Sequence, residues 1–264
     1  MIDTPEKQTT APETETQRTA RTVWWIVGAV CTGLVLLVAV TATGTWLWWN
    51  ASPEKSETRS ETYTQATTGV DVTVEVGRIE LNAAADSLVV GSEIRWRGEE
   101  PEPIESWTGD TFTAVGECDD RFVLFWGGDD CEVNYTLALP GGVAVEAESS
   151  LGDIAMDGLD GGIDVETSVG DIEGESLRAT ETRAEVGVGS IRLTYAEVRG
   201  DIYLTTGTGD VEIVLPDDGT TYDVVFETGV GTEHIDIATD PSNSADYVIH
   251  VSTGVGDLTV RHAD

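Results

Sequence analysis

The chain has 264 residues, of which 49 are Asp or Glu and 14 are Lys or Arg, so its formal net charge at pH 7 is −35. This balance excludes the basic surface that nucleic-acid binding requires. It also repels anionic lipids and anionic wall polymers unless divalent cations bridge them.

The first predicted element is a membrane helix. Residues 1–22 are polar and predict a disordered cytoplasmic tail, whereas residues 23–49 contain no charged side chain. The central part of that apolar segment, 26–47, would span roughly 33 Å as a helix, which matches a bilayer core. Tryptophans flank it as in an aromatic belt: Trp24, Trp25, Trp46, Trp48 and Trp49. A cleaved signal peptide is the alternative, but its apolar region would be shorter.

Basic residues and cysteines indicate which side of the plasma membrane holds the rest of the chain. Arg18 and Arg21 directly precede the apolar segment, which predicts a cytoplasmic N-terminus and an extracellular C-terminal domain. Cys118 and Cys131 form an even pair outside the membrane segment and predict a disulfide, which would stabilise the fold by ~3 kcal/mol. Such a bond persists only in an oxidising exterior, and two reduced thiols are the alternative.

Two segments after the membrane helix lack the regular alternation of apolar residues that is found in the other parts of 67–264. Residues 50–66 are rich in Ser, Thr and Glu and predict a stalk. Residues 82–142 predict extra strands that cap one end of a stack. This capping region holds the remaining tryptophans, Trp96, Trp107 and Trp126. They predict core packing, and a stacking platform for sugar rings is the alternative.

One spacing rule recurs between residues 143 and 260 and once over 70–81. Apolar residues or Thr occupy positions i, i+2, i+4 and i+6, a Gly and usually an Asp follow, and apolar residues return at i+9 and i+11. One copy reads Ile202, Leu204, Thr206, Thr208, Gly209, Asp210, Val211, Ile213. The period of two predicts strands with one buried face. The step from i+6 to i+9 across the glycine is odd, so in a straight strand the apolar residues after it would face the opposite side. They can stay in the core only if the chain turns a corner at the glycine.

These copies predict an all-β fold, a single-stranded β-helix or β-solenoid over 67–264 behind one N-terminal transmembrane helix. Each copy cannot bury its own apolar face, so neighbouring copies must stack. An antiparallel sandwich is the alternative. In the copy that begins at Val224, Glu233 and His234 precede the next apolar residue, which predicts a local bulge.

The corner aspartates are the candidate metal ligands. Asp153 and Asp171 occupy equivalent positions in neighbouring copies, and stacking would place them ~4.8 Å apart, where Ca²⁺ could bridge them. Other corners carry Ser190 and Thr232, so the favoured interpretation is that each Asp binds the backbone of its own turn. A second, weaker cluster comprises Asp119, Asp120, Asp129 and Asp130.

No catalytic or cofactor-binding residue stands out in the sequence. Gly-x-Gly pairs such as Gly187 and Gly189 precede strands rather than helices, so they predict corners and not phosphate loops. The histidines His234, His250 and His262 form no triad or metal spacing. With 49 acidic residues, no single acid/base pair can be distinguished from chance neighbours. We therefore predict that the protein is not an enzyme.

The segment from Cys131 to Gly142, Cys-Glu-Val-Asn-Tyr-Thr-Leu-Ala-Leu-Pro-Gly-Gly, is followed by Gly-Asp-Ile repeats. Together they resemble the putative adhesin family, a domain-of-unknown-function group of β-strand repeat proteins in bacterial and archaeal membranes. The resemblance covers 67–264 and implies a single-stranded β-helix at the cell surface, often behind one membrane anchor. It implies no catalytic residues. Ser190 and Thr232 depart from the Gly-Asp motif.

The sequence thus predicts a single-pass, non-catalytic cell-surface protein that acts in adhesion or envelope scaffolding through a rigid acidic β-solenoid. An envelope polysaccharide or a membrane protein is the expected partner. One alternative is an accessory regulator of an envelope-stress or transport system that acts through its membrane partners. A second alternative is a glycan-active enzyme, because parallel β-helices can host such activities.

Overall fold

The computed structural model describes residues 15–51, 54–83, 86–97, 100–118, 131–240 and 244–263. It has two compact units, Met1–Pro53 and Glu54–Asp264. The candidate residues Asp119, Asp120, Asp129 and Asp130 lie outside the described residues, as do Trp126 and the first part of the predicted tail.

The described part of the first unit is one helix, α1 (Glu15–Ala51). Its segment Trp24–Thr45 has a mean hydropathy of 2.3, contains no buried residue, and has the length and composition needed to cross a membrane. The helix begins before the apolar segment, so residues 15–22 of the predicted disordered tail are helical. This stretch has no Gly or Pro, and extending an existing helix avoids the cost of nucleation.

The described residues of the second unit contain nineteen strands. In chain order they are β1 (Lys55–Tyr63), β2 (Gly69–Val76), β3 (Ile79–Asn82), β4 (Leu88–Trp96), β5 (Ile104–Thr108), β6 (Thr111–Gly116), β7 (Cys131–Ala138), β8 (Ala144–Leu151), β9 (Ile154–Asp157), β10 (Gly162–Val169), β11 (Ile172–Leu177), β12 (Glu181–Val188), β13 (Ile191–Tyr195), β14 (Ile202–Thr208), β15 (Val211–Leu215), β16 (Tyr222–Val230), β17 (Glu233–Asp236), β18 (Tyr247–Val255) and β19 (Leu258–His262).

These strands form two sheets. Sheet A has the order β1-β4-β7-β3-β9-β11-β13-β15-β19-β17, and sheet B has the order β16-β18-β14-β12-β10-β8-β2-β6-β5. A strand of sheet B, a corner and the next strand of sheet A make one rung, such as β10–β11. Neighbouring rungs pair in parallel, which confirms stacked parallel β-sheets and excludes the antiparallel sandwich.

The predicted inward residues at i, i+2 and i+4 form the core between the sheets. In β10, for example, Ile163, Val165 and Thr167 are all at most 3% exposed. The prediction for i+6 is wrong: Val169 is 46% exposed. The alternation ends one residue early, because both Ser168 and Val169 face solvent before the chain turns at Gly170.

Buried hydroxyl groups of the core find partners at the corners. The Thr167 hydroxyl donates to the carbonyl oxygen of Gly152 at 2.9 Å, and the Thr206 hydroxyl donates to that of Gly189 at 3.2 Å. In each case the acceptor belongs to the preceding rung. Threonine therefore replaces an aliphatic residue at i+4 without leaving a buried polar atom unpaired.

At both ends of the stack, the spatial order of the rungs differs from their order in the chain. Rung β6–β7 lies outside β2–β3, and rung β18–β19 lies between β14–β15 and β16–β17. Glu233 pairs directly with Leu258, and Ile235 with Val260. The bulge predicted at Glu233 is therefore wrong. The register of β17 with β19 is continuous. Glu233 is tolerated because β17 is outermost and the Glu233 side chain is exposed.

The stalk predicted over 50–66 is also wrong, because β1 pairs antiparallel with β4 along its whole length. Its alternation of Ser and Thr with charged residues suits an edge strand that faces water on both sides. In the capping region Trp96 is buried. Trp107 packs edge-on against Phe112 and Tyr63, with ring centroids 5.3 and 5.5 Å apart. Both tryptophans therefore serve packing rather than an exposed platform.

Candidate functional site: the outer face of sheet B

The corners bring the two predicted ligands Asp153 and Asp171 into line. The Asp171 N–H donates to Oδ1 of Asp153 at 3.0 Å, and the Ser190 N–H donates to Oδ1 of Asp171 at 2.7 Å. Each carboxylate thus binds the backbone of the next rung, and the prediction that it binds its own turn is wrong. Oδ2 of Asp153 also accepts a hydrogen bond from Arg78 at 2.8 Å.

The same link recurs toward the C-terminal end of the stack. The Asp257 N–H donates to Oδ1 of Asp210 at 2.9 Å, and the Thr232 N–H donates to Oδ1 of Asp257 at 2.7 Å. The aspartates therefore tie rungs together. Within the described ranges no group of three or more His, Cys, Asp or Glu could hold a metal ion. Calcium binding stays a prediction.

On the outer face of sheet B, stacking arranges side chains in straight rows. Glu148, Glu166 and Glu185 are directly paired across β8, β10 and β12, which places like charges at the ~4.8 Å strand spacing. Partial burial raises the pKa of Glu166, and the neighbouring carboxylates of Glu185, Glu148 and Asp164 raise it further. The middle of this row therefore holds its proton more strongly than an isolated Glu does.

A second row on the same face has a different chemistry. Arg183, Tyr203 and His250 are directly paired across β12, β14 and β18. The guanidinium carbon of Arg183 lies 5.6 Å from the centre of the Tyr203 ring, and the Tyr203 and His250 rings are 6.5 Å apart. The cation can interact with the aromatic face at that distance. We call these two rows the binding face: Glu148, Glu166, Glu185, Arg183, Tyr203 and His250.

A shallow groove of about 420 Å³ runs beside the binding face, where β2, β8, β10 and β12 begin. Its charged lining includes Asp71, Glu146, Asp164 and Arg183. Arg183 approaches Asp164 at 3.5 Å. The groove is therefore polar, and its one guanidinium is balanced by neighbouring carboxylates.

The opposite ends of these strands carry an exposed aliphatic row. Its members follow the strand register of sheet B and are Leu151, Val169, Val188, Val255 and Val230. They are 46–67% exposed. The period of two predicts a core position for these residues, because they have the same phase as the buried ones. The alternation of apolar and polar residues in the sequence continues through this position, so the period of two gives no sign of its exposure.

The Gly-x-Gly pairs have a structural explanation. Gly189 has φ +146°, and a Cβ there would lie 1.9 Å from the carbonyl oxygen of Gly170. A Cβ on Gly187 would lie 2.4 Å from the carbonyl oxygen of Ser168. Neighbouring backbones thus approach too closely for any side chain, and the glycines need no ligand to account for them.

Cys118 and Cys131 form a disulfide in the structure, with their Cα atoms 6.0 Å apart. The Cys118 N–H donates to Oε2 of Glu75 at 3.0 Å, which ties this pair to β2. The disulfide therefore lies in the capping region, outside the binding face. The remaining cysteine, Cys31, is a free thiol on α1.

A family comparison covers the regular rungs described above. Residues 136–261 match the family described as Toastrack DUF4097. The chain carries a Toastrack DUF4097 domain. This confirms the predicted membership of a domain-of-unknown-function family of β-strand proteins. The Toastrack match begins in β7 and ends in β19, so it includes the binding face and leaves out β1–β6.

Solved structures similar to this chain come from several bacteria. A putative cell adhesion protein from Clostridium sporogenes is 13% identical, with a TM-score of 0.48 over 79% of this chain and 100% of that chain. A putative adhesin from Bacteroides fragilis is 12% identical, with a TM-score of 0.40 over 79% and 97%. One from Parabacteroides merdae is 13% identical, with a TM-score of 0.27 over 80% and 97%. No curated protein matches the chain.

Proposed function

We propose that this protein is anchored in the plasma membrane by α1 and acts outside the cell, without catalysis, in adhesion or envelope scaffolding. The observation that carries this proposal is the binding face. Six side chains stand in two straight rows there, at the fixed spacing of hydrogen-bonded parallel strands. A repetitive ligand can occupy successive positions along such rows.

Rigidity supports a binding role for this face. Its strands β8, β10, β12, β14 and β18 each pair with a strand on both sides, and their inner side chains are buried. Binding to a surface that is already ordered costs little conformational entropy. The face can therefore bind repeated units without rearrangement.

The chemistry of the rows favours an uncharged, hydroxyl-rich ligand. Carboxylates at Glu148 and Glu166 repel anionic polymers, whereas the Tyr203 and His250 rings offer apolar faces with polar edges. Arg183 can donate hydrogen bonds beside them. A neutral envelope polysaccharide fits this set, and a membrane protein is the second class of partner.

The proposal can be tested with the unit Glu54–Asp264, which has a core of its own. We expect saturable binding of this unit to isolated cell envelopes. The double variant Tyr203→Ala with His250→Ala should weaken binding at least tenfold. Thr194→Ala, an exposed change on sheet A, is the control and should leave it unchanged.

Three results would count against the proposal. Absence of saturable binding across a salt series would overturn adhesion. Equal losses in the Tyr203/His250 variant and the Thr194 control would remove the binding face from it. Release of new reducing ends from the envelope material would contradict the non-catalytic assignment. Repeating the assay with a chelator would test the Ca²⁺ prediction at Asp153 and Asp171.

A second function, regulation through membrane partners, is favoured by one observation on α1. The helix starts at Glu15 and continues through the apolar segment, so a change in helix position would be transmitted into the tail. Replacing 24–45 by an unrelated apolar helix separates the two functions. Adhesion would survive this replacement, whereas regulation through specific helix partners would be lost.

A further inference from the structure

The C-terminal end of the stack is an open edge of both sheets. β16 and β17 are the outermost strands of sheets B and A at that end. Among the described residues, the outer edge of β16 is met only at Tyr222, whose carbonyl oxygen accepts a hydrogen bond from the Asp240 N–H at 2.9 Å. From Asp223 onward, the described chain offers that edge no partner strand.

The hydrogen bond at Tyr222 also shows which backbone groups of β16 point outward. Backbone groups of alternate residues point to the same side of a strand. Val224, Phe226 and Thr228 therefore direct their N–H and C=O groups away from β18. Unpaired groups in such a row are a template for another strand.

The core is uncovered at the same end. Val224, Phe226, Ile235 and Ile237 pack against the core but are only partly buried. Their counterparts one rung inward are fully buried: Ile249, Val251 and Val260. Apolar surface and unpaired backbone thus coincide at one end of the stack.

The N-terminal end is finished differently. In sheet A its edge strand β1 alternates Lys55, Glu57, Arg59 and Glu61 with Ser and Thr, and it covers β4 antiparallel. In sheet B its edge strand β5 is only five residues long. Charged side chains on an edge strand oppose pairing with another strand. The C-terminal end differs because partly buried apolar side chains lie beside its unpaired backbone.

We infer that two copies of this chain associate end to end through β16 and β17, about a twofold axis. A single peptide strand could cover only one of the two sheets. A partner that covers both sheets and the core between them needs two open strands at the same separation, and a second copy has that shape. A twofold axis pairs β16 with its counterpart antiparallel, as an isologous contact requires.

The size of this end agrees with a reversible dimer. A nine-residue strand is about 30 Å long, and two sheets with their spacing are about 20 Å deep. The contact would then bury about 600 Å² per copy, or about 1,200 Å² in total, the lower limit for specific interfaces. Asp223, Glu227, Glu233 and Asp236 repel their counterparts across it. Because salt screens this repulsion, association should strengthen with ionic strength.

The test is sedimentation velocity of Glu54–Asp264 over a range of protein and NaCl concentrations. We expect a monomer–dimer equilibrium whose dissociation constant falls as NaCl rises from 0.1 to about 1 M. Val224→Glu should raise that constant at least tenfold by placing a charge in the contact. The matched control is Val188→Glu, in the exposed aliphatic row, which should leave the constant unchanged.

Thr228→Ala loses the hydroxyl that accepts a hydrogen bond from Thr253 of β18 at 2.9 Å but keeps the N–H, so it is a control. Thr228→Pro is the second variant, because it also removes an outward N–H without touching a backbone bond to β18. It should also weaken the dimer, and circular dichroism with thermal melting checks that each variant is folded. A monomer at every concentration and salt would overturn the inference. Equal weakening by Val188→Glu would also overturn it, by assigning the contact to the aliphatic row.

Spin labels on the dimer give a readout that does not depend on a destabilising variant. Sheet A has ten strands, so the stack is about 43 Å long. Labels at Glu227→Cys should lie within about 30 Å of each other across the dimer, whereas labels at Glu57→Cys should be about 85 Å apart. Short distances at Glu57 and long ones at Glu227 would contradict the end-to-end arrangement.

Discussion

The middle of the stack and its N-terminal end are held together by different interactions. From β8 to β15 the rungs repeat parallel pairing and corner glycines, and the aspartates at three of the four corners bind the next rung, with Ser190 at the remaining corner. At the N-terminal end, β1, β4 and β5 run antiparallel, and a disulfide closes the capping region. The repeat thus specifies how neighbours stack, while the end of the stack needs separate devices.

The largest loss of stability is expected from replacing a corner glycine in the middle of the stack. Gly189→Ala combines an unfavourable φ with a Cβ that would lie 1.9 Å from the backbone oxygen of Gly170. We expect a loss of about 4 kcal/mol in the free energy of unfolding, measured by urea titration. Gly109→Ala at the N-terminal end also has a positive φ, +64°, but has open space around it. It should cost only about 1 kcal/mol, and an equal loss would show that close stacking is not what the glycine serves.

The next effect belongs to the N-terminal end alone. The double variant Cys118→Ser with Cys131→Ser opens a loop with a sequence separation of 13. It should lower the free energy of unfolding by about 3 kcal/mol. Reduced wild-type protein should match the variant, and this is the control. If oxidised and reduced protein unfold at the same urea concentration, the disulfide does not stabilise the cap.

Two buried tyrosines, one in the middle and one at the N-terminal end, should respond to loss of the hydroxyl with opposite changes in the free energy of unfolding. In the middle, the Tyr195 hydroxyl lies 2.9 Å from the hydroxyl oxygen of Thr182 and hydrogen-bonds with it. At the N-terminal end, the buried Tyr135 hydroxyl has no partner among the described residues. Tyr195→Phe should therefore cost about 1 kcal/mol, whereas Tyr135→Phe should be neutral or stabilise by up to about 1 kcal/mol. The same sign for both changes would contradict these contacts.

The smallest effect concerns the carboxylate row. The pKa of Glu166 is raised from 4.5, so the folded protein holds this proton more tightly than the unfolded chain does. Its contribution to stability is therefore greatest in acid and falls as pH rises from 4.5 through the folded pKa. Glu166→Gln should raise the free energy of unfolding at pH 7 by about 0.5 kcal/mol in low salt.

A matched carboxylate with an opposite-charge neighbour serves as the control for Glu166. Glu173 lies 3.2 Å from Arg192, so Glu173→Gln should bring no gain. The gain from Glu166→Gln should also vanish in 1 M NaCl, because salt screens the exposed charges. A gain that survives high salt would assign it to something other than like-charge repulsion.

Sequence periodicity predicted the core of each rung and the corners. Ile163, Val165 and Thr167 follow a period of two, and Gly170 marks the turn, because both signals are local. Exposure of Val169 could not be predicted from phase alone, since phase does not say where the opposite sheet ceases to cover the strand. The role of Asp153 was missed for a related reason: its partner lies in the next rung.

Spatial order at the ends was beyond the sequence pattern. The rungs that begin at Val224 and Ile249 carry the same alternation, so exchanging them leaves every local signal unchanged. Glu233 pairs with Leu258 of the neighbouring rung. A charged residue at this otherwise apolar position is what distinguishes the outermost rung in the sequence. The row of Arg183, Tyr203 and His250 depends on that order, because it requires β18 beside β14.

The inserted position of β18–β19 has a consequence for biosynthesis. The ribosome makes β16–β17 before the rung on which it finally rests, and about 26 residues separate the ends of β17 and β19. At a translation rate of about 5–20 residues per second, this leaves a delay of about 1–5 s. During that time β16–β17 lacks its final neighbour, while β14–β15 presents an uncovered edge. During synthesis, β16–β17 must therefore either stay undocked until β18–β19 is made, or dock on β14–β15 first and be displaced by β18–β19 afterwards.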